Sequence, residues 1–369
     1  MADTASASAA TVRDGTRTGA VSGPAQRVER IHAKLHQRSE PNRVKPVLLA
    51  TGILAWIVFA LLAVLLPNNS NLPMSETGAT DAANPFTFAA GLAIAVVWLA
   101  IWALSATSGR GGAWARHRAS HGAAWLLGSA VWLLAWELTT AKTGLLQPPY
   151  YPSPQQIRNG LWIDRALLAS STGNSLLLLA VGFIVGLAAG LLTGVTIGWF
   201  QLANYWVHPV LILIGPIPAV AWVPIVFTVF PSAYSGAVFI IALSVWFPIT
   251  VLTRAGILSV PRSYYDVAQT LGAKSWFLVL RISLPSALPS IFTGAFMALG
   301  ASFASLVVAE NFGVNSGLGW YLNFKKSWGD FPGLYGGLIV LAVICALLLT
   351  LLFWARNRVL RWEKELTRW

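Results

Sequence analysis

Charge is what this sequence has least of. Only 10% of its 369 residues are charged, with 13 Asp and Glu together, where a soluble globular domain carries about 25%. A water-soluble domain is thereby excluded. Cysteine occurs once, as Cys345 inside an apolar run; a lone thiol forms no internal disulfide and is most simply a small packing residue. No lysine follows a glycine, so the chain lacks the phosphate-binding P-loop and is not expected to hydrolyse nucleotide itself. Cys/His clusters with zinc spacing are missing too. His32 and His36 stand at i, i+4, but in a polar tail where solvation is the simpler reading. No catalytic residue, metal ligand set or resident cofactor can be nominated, so an enzyme is not expected. Residues 1–26 are Ala, Ser, Thr, Gly and Arg without an apolar core, unlike a signal peptide.

What is present is hydrophobic. Apolar residues make up 56% of the chain, with 18 tryptophans, a residue that favours membrane–water interfaces. Crossing a bilayer takes roughly 18 or more apolar residues. Eight runs qualify, at about 47–66, 86–105, 123–140, 174–199, 208–230, 235–253, 286–309 and 333–354. The expected fold is an all-α polytopic membrane protein. Of the 25 Lys and Arg, 20 fall on one side of an eight-span topology: before residue 47, near Arg116, from Arg254 to Arg281 inclusive, and from Arg356 onward. Lys142, Arg158, Arg165, Lys325 and Lys326 fall on the other. Positive residues stay cytoplasmic, which places both termini inside. The net charge of +12 then serves lipid headgroups and topology rather than nucleic acid.

The organisation expected is a basic, largely unstructured tail over 1–46, two spans and a linker over 47–112, a membrane core over 113–355, and a basic tail over 356–369. A short surface helix is expected within Arg27–Arg43. After Pro152 and Pro154, the spacing of Ile157, Leu161 and Leu168 predicts a short amphipathic helix. Gly182, Gly186, Gly190, Gly194 and Gly198 recur every four residues on one face of the fourth span. Two readings are open there: tight packing against another helix, or a mobile helix at a gate. Pro209, Pro216, Pro218, Pro224 and Pro231 punctuate the fifth. Breaks at membrane depth are tolerated where protein or a cavity lines them, which favours a transport pathway.

A transporter needs an energy source. Glu137 and Glu310 are the carboxylates of the spans, both near span ends, whereas ion-coupled transporters usually set carboxylates or histidines within the bundle. The loop after the sixth span reads Tyr265-Asp266-Val267-Ala268-Gln269-Thr270-Leu271-Gly272-Ala273-Lys274-Ser275-Trp276-Phe277, then Arg281-Ile282-Ser283-Leu284-Pro285. Asp266 is expected near the start of a short helix, where a carboxylate complements the dipole. Gly272 is expected to turn the chain out of it. Trp276, Phe277, Val279 and Leu280 then supply an apolar face, and Pro285 can open the next span.

This loop resembles the cytoplasmic signature loop of ABC-importer permeases: acidic–Ala–Ala, three residues, Gly, nine residues, Ile–x–Leu–Pro. All spacings match, with Asp266 for the usual Glu and Val267 for the first Ala. Pro216-Ile217-Pro218-Ala219-Val220-Ala221-Trp222-Val223-Pro224, Leu284–Ile291 with Gly294, Val308-Ala309-Glu310 and Asn315–Gly319 are similar to the nitrate/sulfonate/taurine-type subfamily. The likeness covers roughly 125–365. It implies a six-span permease core preceded by two extra N-terminal spans, in a bacterial inner membrane. It implies a coupling loop at about 260–285 in which Asp266, Val267, Ala268, Gly272, Ile282, Leu284 and Pro285 meet an ABC ATPase. It further implies a second permease copy, expected as a homodimer, an extracytoplasmic solute-binding protein, ATP and magnesium on the ATPase partner, and a small, often anionic nutrient. Candidate pathway residues are Trp222, Ser244, Trp246, Ser302, Ser305, Glu310 and Asn311, with ordinary packing as the alternative for each; Glu310 is the best single bet, and its cost in a span suggests a brace for the outer loop. The rival functions are an ion-coupled secondary transporter and a membrane scaffold.

Overall fold

The computed structural model describes residues 46–68, 84–107, 109–146 and 149–362. The tail expected over 1–46, with its surface helix and His32 and His36, lies outside them except for Pro46, as does the end of the C-terminal tail. Every regular element among the described residues is helical. Seven helical stretches are long and apolar enough to cross a membrane, eight if one sharply bent pair counts as a span.

The chain divides into two compact units, Met1–Val58 with Gly91–Val131, and Phe59–Ala90 with Trp132–Trp369. The first unit holds most of α1 (Pro46–Leu65), α2 (Asn84–Ser105) and α3 (Arg110–Glu137). Small residues let these helices approach: a Cβ on Gly52 would sit 3.1 Å from Leu126 Cδ2. Trp56 Nε1 donates to Leu126 O at 3.0 Å. Arg116 donates to Ser105 O and Thr107 O, at 3.0 and 3.1 Å, satisfying carbonyls that the end of α2 leaves without a helical partner. The third span was expected to begin near 123, but its helix begins at Arg110. The basic residues thus ride on the first turns of the helix rather than in a loop.

In the second unit a π turn, Leu138–Lys142, ends the third span. The helix expected after Pro154 is α4 (Pro154–Ile163), opened by a capping box in which Ser153 N donates to Gln156 Oε1 at 2.9 Å. α5 (Arg165–Trp199) follows directly and is longer than the hydropathy suggested. It packs along α8 (Ala233–Leu258) through its glycine face. A Cβ on Gly186 would lie 2.5 Å from Ala242 O, and one on Gly190 or Gly194 would lie 2.7 or 2.6 Å from the Cβ of Ile249 or Thr253. No side chain fits at such distances, so of the two readings of the glycine row the structure takes tight packing.

The fifth expected span, 208–230, is not one helix. α6 (Gln201–Ile214) stops, a 3-10 turn covers Ala219–Trp222, and α7 (Val223–Val229) departs at 86°. Pro216 and Pro218 explain the break, since neither can donate a backbone N–H to the preceding turn. Beyond α8 come α9 (Arg262–Thr270), α10 (Ser275–Phe277), a π turn (Leu278–Ser283), α11 (Leu284–Phe312), α12 (Leu318–Ser327) and α13 (Phe331–Val359). The span expected from 286 therefore starts at Ser275. Pro285 lies in the first turn of α11, but helical backbone already precedes it.

Candidate functional site

Sequence places a docking element at α9 and the turn after it, and the structure builds a defined shape there. The helix closes in a Schellman motif: Ala273 N donates to Ala268 O at 3.0 Å and Gly272 N to Gln269 O at 2.9 Å. Gly272 makes this possible with φ +82°, a conformation that side chains resist. One expectation fails. Asp266 is the fifth residue of a helix that begins at Arg262, so it lies mid-helix, away from the first turn, and the dipole argument does not apply. Its carboxylate is exposed.

Around that turn, Ala268, Leu271, Gly272, Lys274, Trp276 and Phe277 line an open groove of about 400 Å³. Its apolar rim stands out in solvent: Val267 is 60% exposed, Leu271 82% and Trp276 62%. Ile282, Leu284 and Pro285 are instead half-buried at the base of the following span. Sequence reasoning missed what holds α9 in place. Tyr265 packs edge-on against Trp199 at the end of α5, ring centroids 5.7 Å apart. The signal was available, since Tyr265 is the apolar neighbour of the acidic residue, but its contact is 66 residues away in the chain.

A second feature lies at the broken span. A cavity of about 470 Å³ is walled by the break itself, by α8 and by α11, including Ser244, Trp246 and Ser305. Gly215 lets the break close on Phe247, whose Cε2 lies 2.2 Å from where a Cβ would be. The remaining nominated residues go elsewhere. Trp222 is half-buried against Val223, Val226 and Ile240, with an indole N–H that finds no acceptor among the described residues. Ser302 is fully buried and donates to Leu299 O. Asn311 is exposed.

Glu310 is 1% exposed. It accepts from Ser175 Oγ and from Gly319 N, both at 2.6 Å, while Ser175 Oγ accepts from Leu318 N at 2.7 Å. It therefore ties α5 to the first turn of α12, and Gly317 at φ +104° leaves room for the carboxylate. A neighbouring cluster joins α12 to the junction of α4 and α5 and to the start of α13. Lys325 pairs with Asp164 at 2.5 Å and with Asp330 at 2.8 Å, and Tyr321 donates to Asp164 at 2.7 Å. Burial pushes the Tyr321 hydroxyl up, and Asp164 adds to it. Burial would lower Lys325, but Asp164 and Asp330 outweigh it and hold the ammonium above its ordinary value. The other buried carboxylate, Glu137, accepts from Gln155 and faces Lys142 at 3.8 Å.

A polytopic helical bundle with a sharply broken span, a cavity behind the break and a projecting helix–turn–helix suits a transport protein better than an anchor. Comparison with known proteins narrows the class. Residues 182–364 match the family described as binding-protein-dependent transport system inner membrane component. Over those residues, close to half of its length, the chain is similar to that family of ABC permeases. A formylaminopyrimidine transport permease protein of Halalkalibacterium halodurans is 28% identical over 234 residues, 63% of this chain and 93% of the relative. A putative aliphatic sulfonates transport permease protein of Bacillus subtilis is 28% identical over 186 residues, 50% of this chain and 67% of the relative. A nitrate import permease protein of Leptolyngbya laminosa is 30% identical over 170 residues, 46% of this chain and 59% of the relative.

Proposed function

We propose that this chain is the membrane-spanning subunit of an ATP-driven importer, which receives a small nutrient from an extracytoplasmic binding protein and couples to a cytoplasmic ATPase through α9. The observation that carries the reading is the shape of α9 and its turn: an exposed apolar rim around a groove, closed by a positive-φ glycine and braced on α5. An exposed apolar patch of this kind in an otherwise capped loop is an interaction surface in want of a partner. Two copies form the pathway and each docks one ATPase, on which ATP and magnesium reside. Both termini face the cytoplasm, as the distribution of Lys and Arg favours. The solute is of the kind named for the relatives, nitrate or a sulfonate among them, and by that analogy an anion.

Motion reaches the membrane by a short path. A push on α9 moves Tyr265 against Trp199, and α5 then carries it along α8, with which it is interlocked through the glycine row. Ion coupling has less support, because Glu310 is occupied in bracing an outer loop. The test is affinity purification in mild detergent, in which a P-loop ATPase is expected to come along. Gly272→Asp and Ala268→Arg are expected to insert normally and to abolish uptake. Wild-type uptake in both variants would end the coupling assignment.

A further inference from the structure

The cavity behind the broken span has one large aromatic wall, and that wall is pinned from outside. Trp246 on α8 faces the cavity, yet its indole Nε1 donates at 3.0 Å to Thr193 Oγ1 on α5. Thr193 is held in turn. Its hydroxyl lies 2.8 Å from Ala189 O and 2.8 Å from Thr250 Oγ1. Thr250 is fully buried and sits against the glycine row, where α5 comes closest to α8. The indole thus has a fixed orientation set by a residue that does not line the cavity.

The rest of the wall is featureless by comparison. Among the described residues lining it, Ser244 and Ser305 are the only hydroxyls and none is ionisable. Ser244 spends its proton on Ile241 O, at 2.7 Å. Walls of this kind offer no countercharge to an ion, so they can discriminate by width and by contact with a flat ring, but not by sign of charge.

We propose that this cavity is the solute chamber of the importer and that Thr193 sets its width by holding Trp246 against α5. The proposal rests on the permease reading. It makes Thr193 a positioning residue and Trp246 the specificity-determining wall, and it assigns selection by charge to the binding protein.

The test uses the full chain in membrane vesicles, with Cys345→Ser and with Ala301→Cys as the reporter, since Ala301 is exposed on the cavity wall. The probes are methyl and benzyl methanethiosulfonate, both neutral and differing in bulk, with the sulfonatoethyl and trimethylammonioethyl reagents reporting on charge. Thr193→Val frees the indole to swing into the open space. The benzyl rate is then expected to fall about fivefold, the population change that loss of one net hydrogen bond produces, with the methyl rate unchanged. Thr193→Ser restores the benzyl rate. In a Trp246→Phe background, which has no donor to lose, Thr193→Val has no further effect. The anionic and cationic reagents keep the rate ratio of a free thiol in every background. An unchanged benzyl rate, an equal fall for both neutral reagents, or a strong preference for one charge would overturn the chamber assignment. Co-purification with an ATPase reports on the permease reading separately, so the two can fail independently.

Discussion

Replacing Gly186 by alanine adds one methyl group where α5 and α8 touch. Two effects oppose each other. Alanine is preferred to glycine within a helix by about 0.5–1 kcal/mol. Against that, the new Cβ would stand 2.5 Å from Ala242 O, 2.7 Å from Val245 Cβ and 2.9 Å from Ala242 Cα. Two of those three atoms are backbone, so the helices must part, and overpacking of this kind costs about 1–3 kcal/mol. Overpacking wins, for a net loss of about 1–2 kcal/mol. Gly198 offers an internal control on the same face. Its Cβ would meet only the side chain of Ile257, at 3.1 Å and beyond, which can yield by a few tenths of an ångström. Gly198→Ala is therefore expected to be neutral or slightly stabilising. Thermal inactivation of the detergent-solubilised chain, followed by size-exclusion chromatography, measures both. Equal stability of the two variants would refute the packing argument. A Gly186→Ala variant of normal stability but without uptake would revive the gate reading of this helix.

Two further outcomes concern the contacts around α12. Ser175→Ala removes the donor to Glu310 and the acceptor of Leu318 N together; leaving such buried groups unsatisfied costs about 1–3 kcal/mol, read as earlier proteolysis of the loop before α12. Normal protease resistance would show that the brace is dispensable. Folding holds Lys325 protonated more firmly than the unfolded chain does, so its contribution is full below the ordinary lysine value of 10.5 and fades as pH rises past it. Lys325→Met is accordingly expected to lower thermal stability by the same amount at pH 7 and pH 9. A deficit that shrinks over that interval would contradict the assignment.

Much of this protein was legible before any coordinate. Lack of charge and the length of the apolar runs required a helical membrane protein, because unpaired backbone groups are not tolerated in lipid. The signature loop was legible for a related reason: a turn that needs positive φ asks for glycine at one place, and Gly272 stands there. The prolines at 216 and 218 marked the broken span, though not the 86° by which it bends.

What composition and spacing could not decide are the pairings between distant segments. Glu310 was singled out by its cost in an apolar span, yet only the fold brings it Ser175, 135 residues away in the chain. Thr193 carries no local signal at all, being one hydroxyl on a long helix. Its role exists because a row of glycines lets α8 approach until an indole can reach it. Helical periodicity and lipid solubility are properties of a segment and its solvent, so sequence determines them directly. Contacts across 50 or more residues depend on which faces meet, and only the tertiary structure makes that choice.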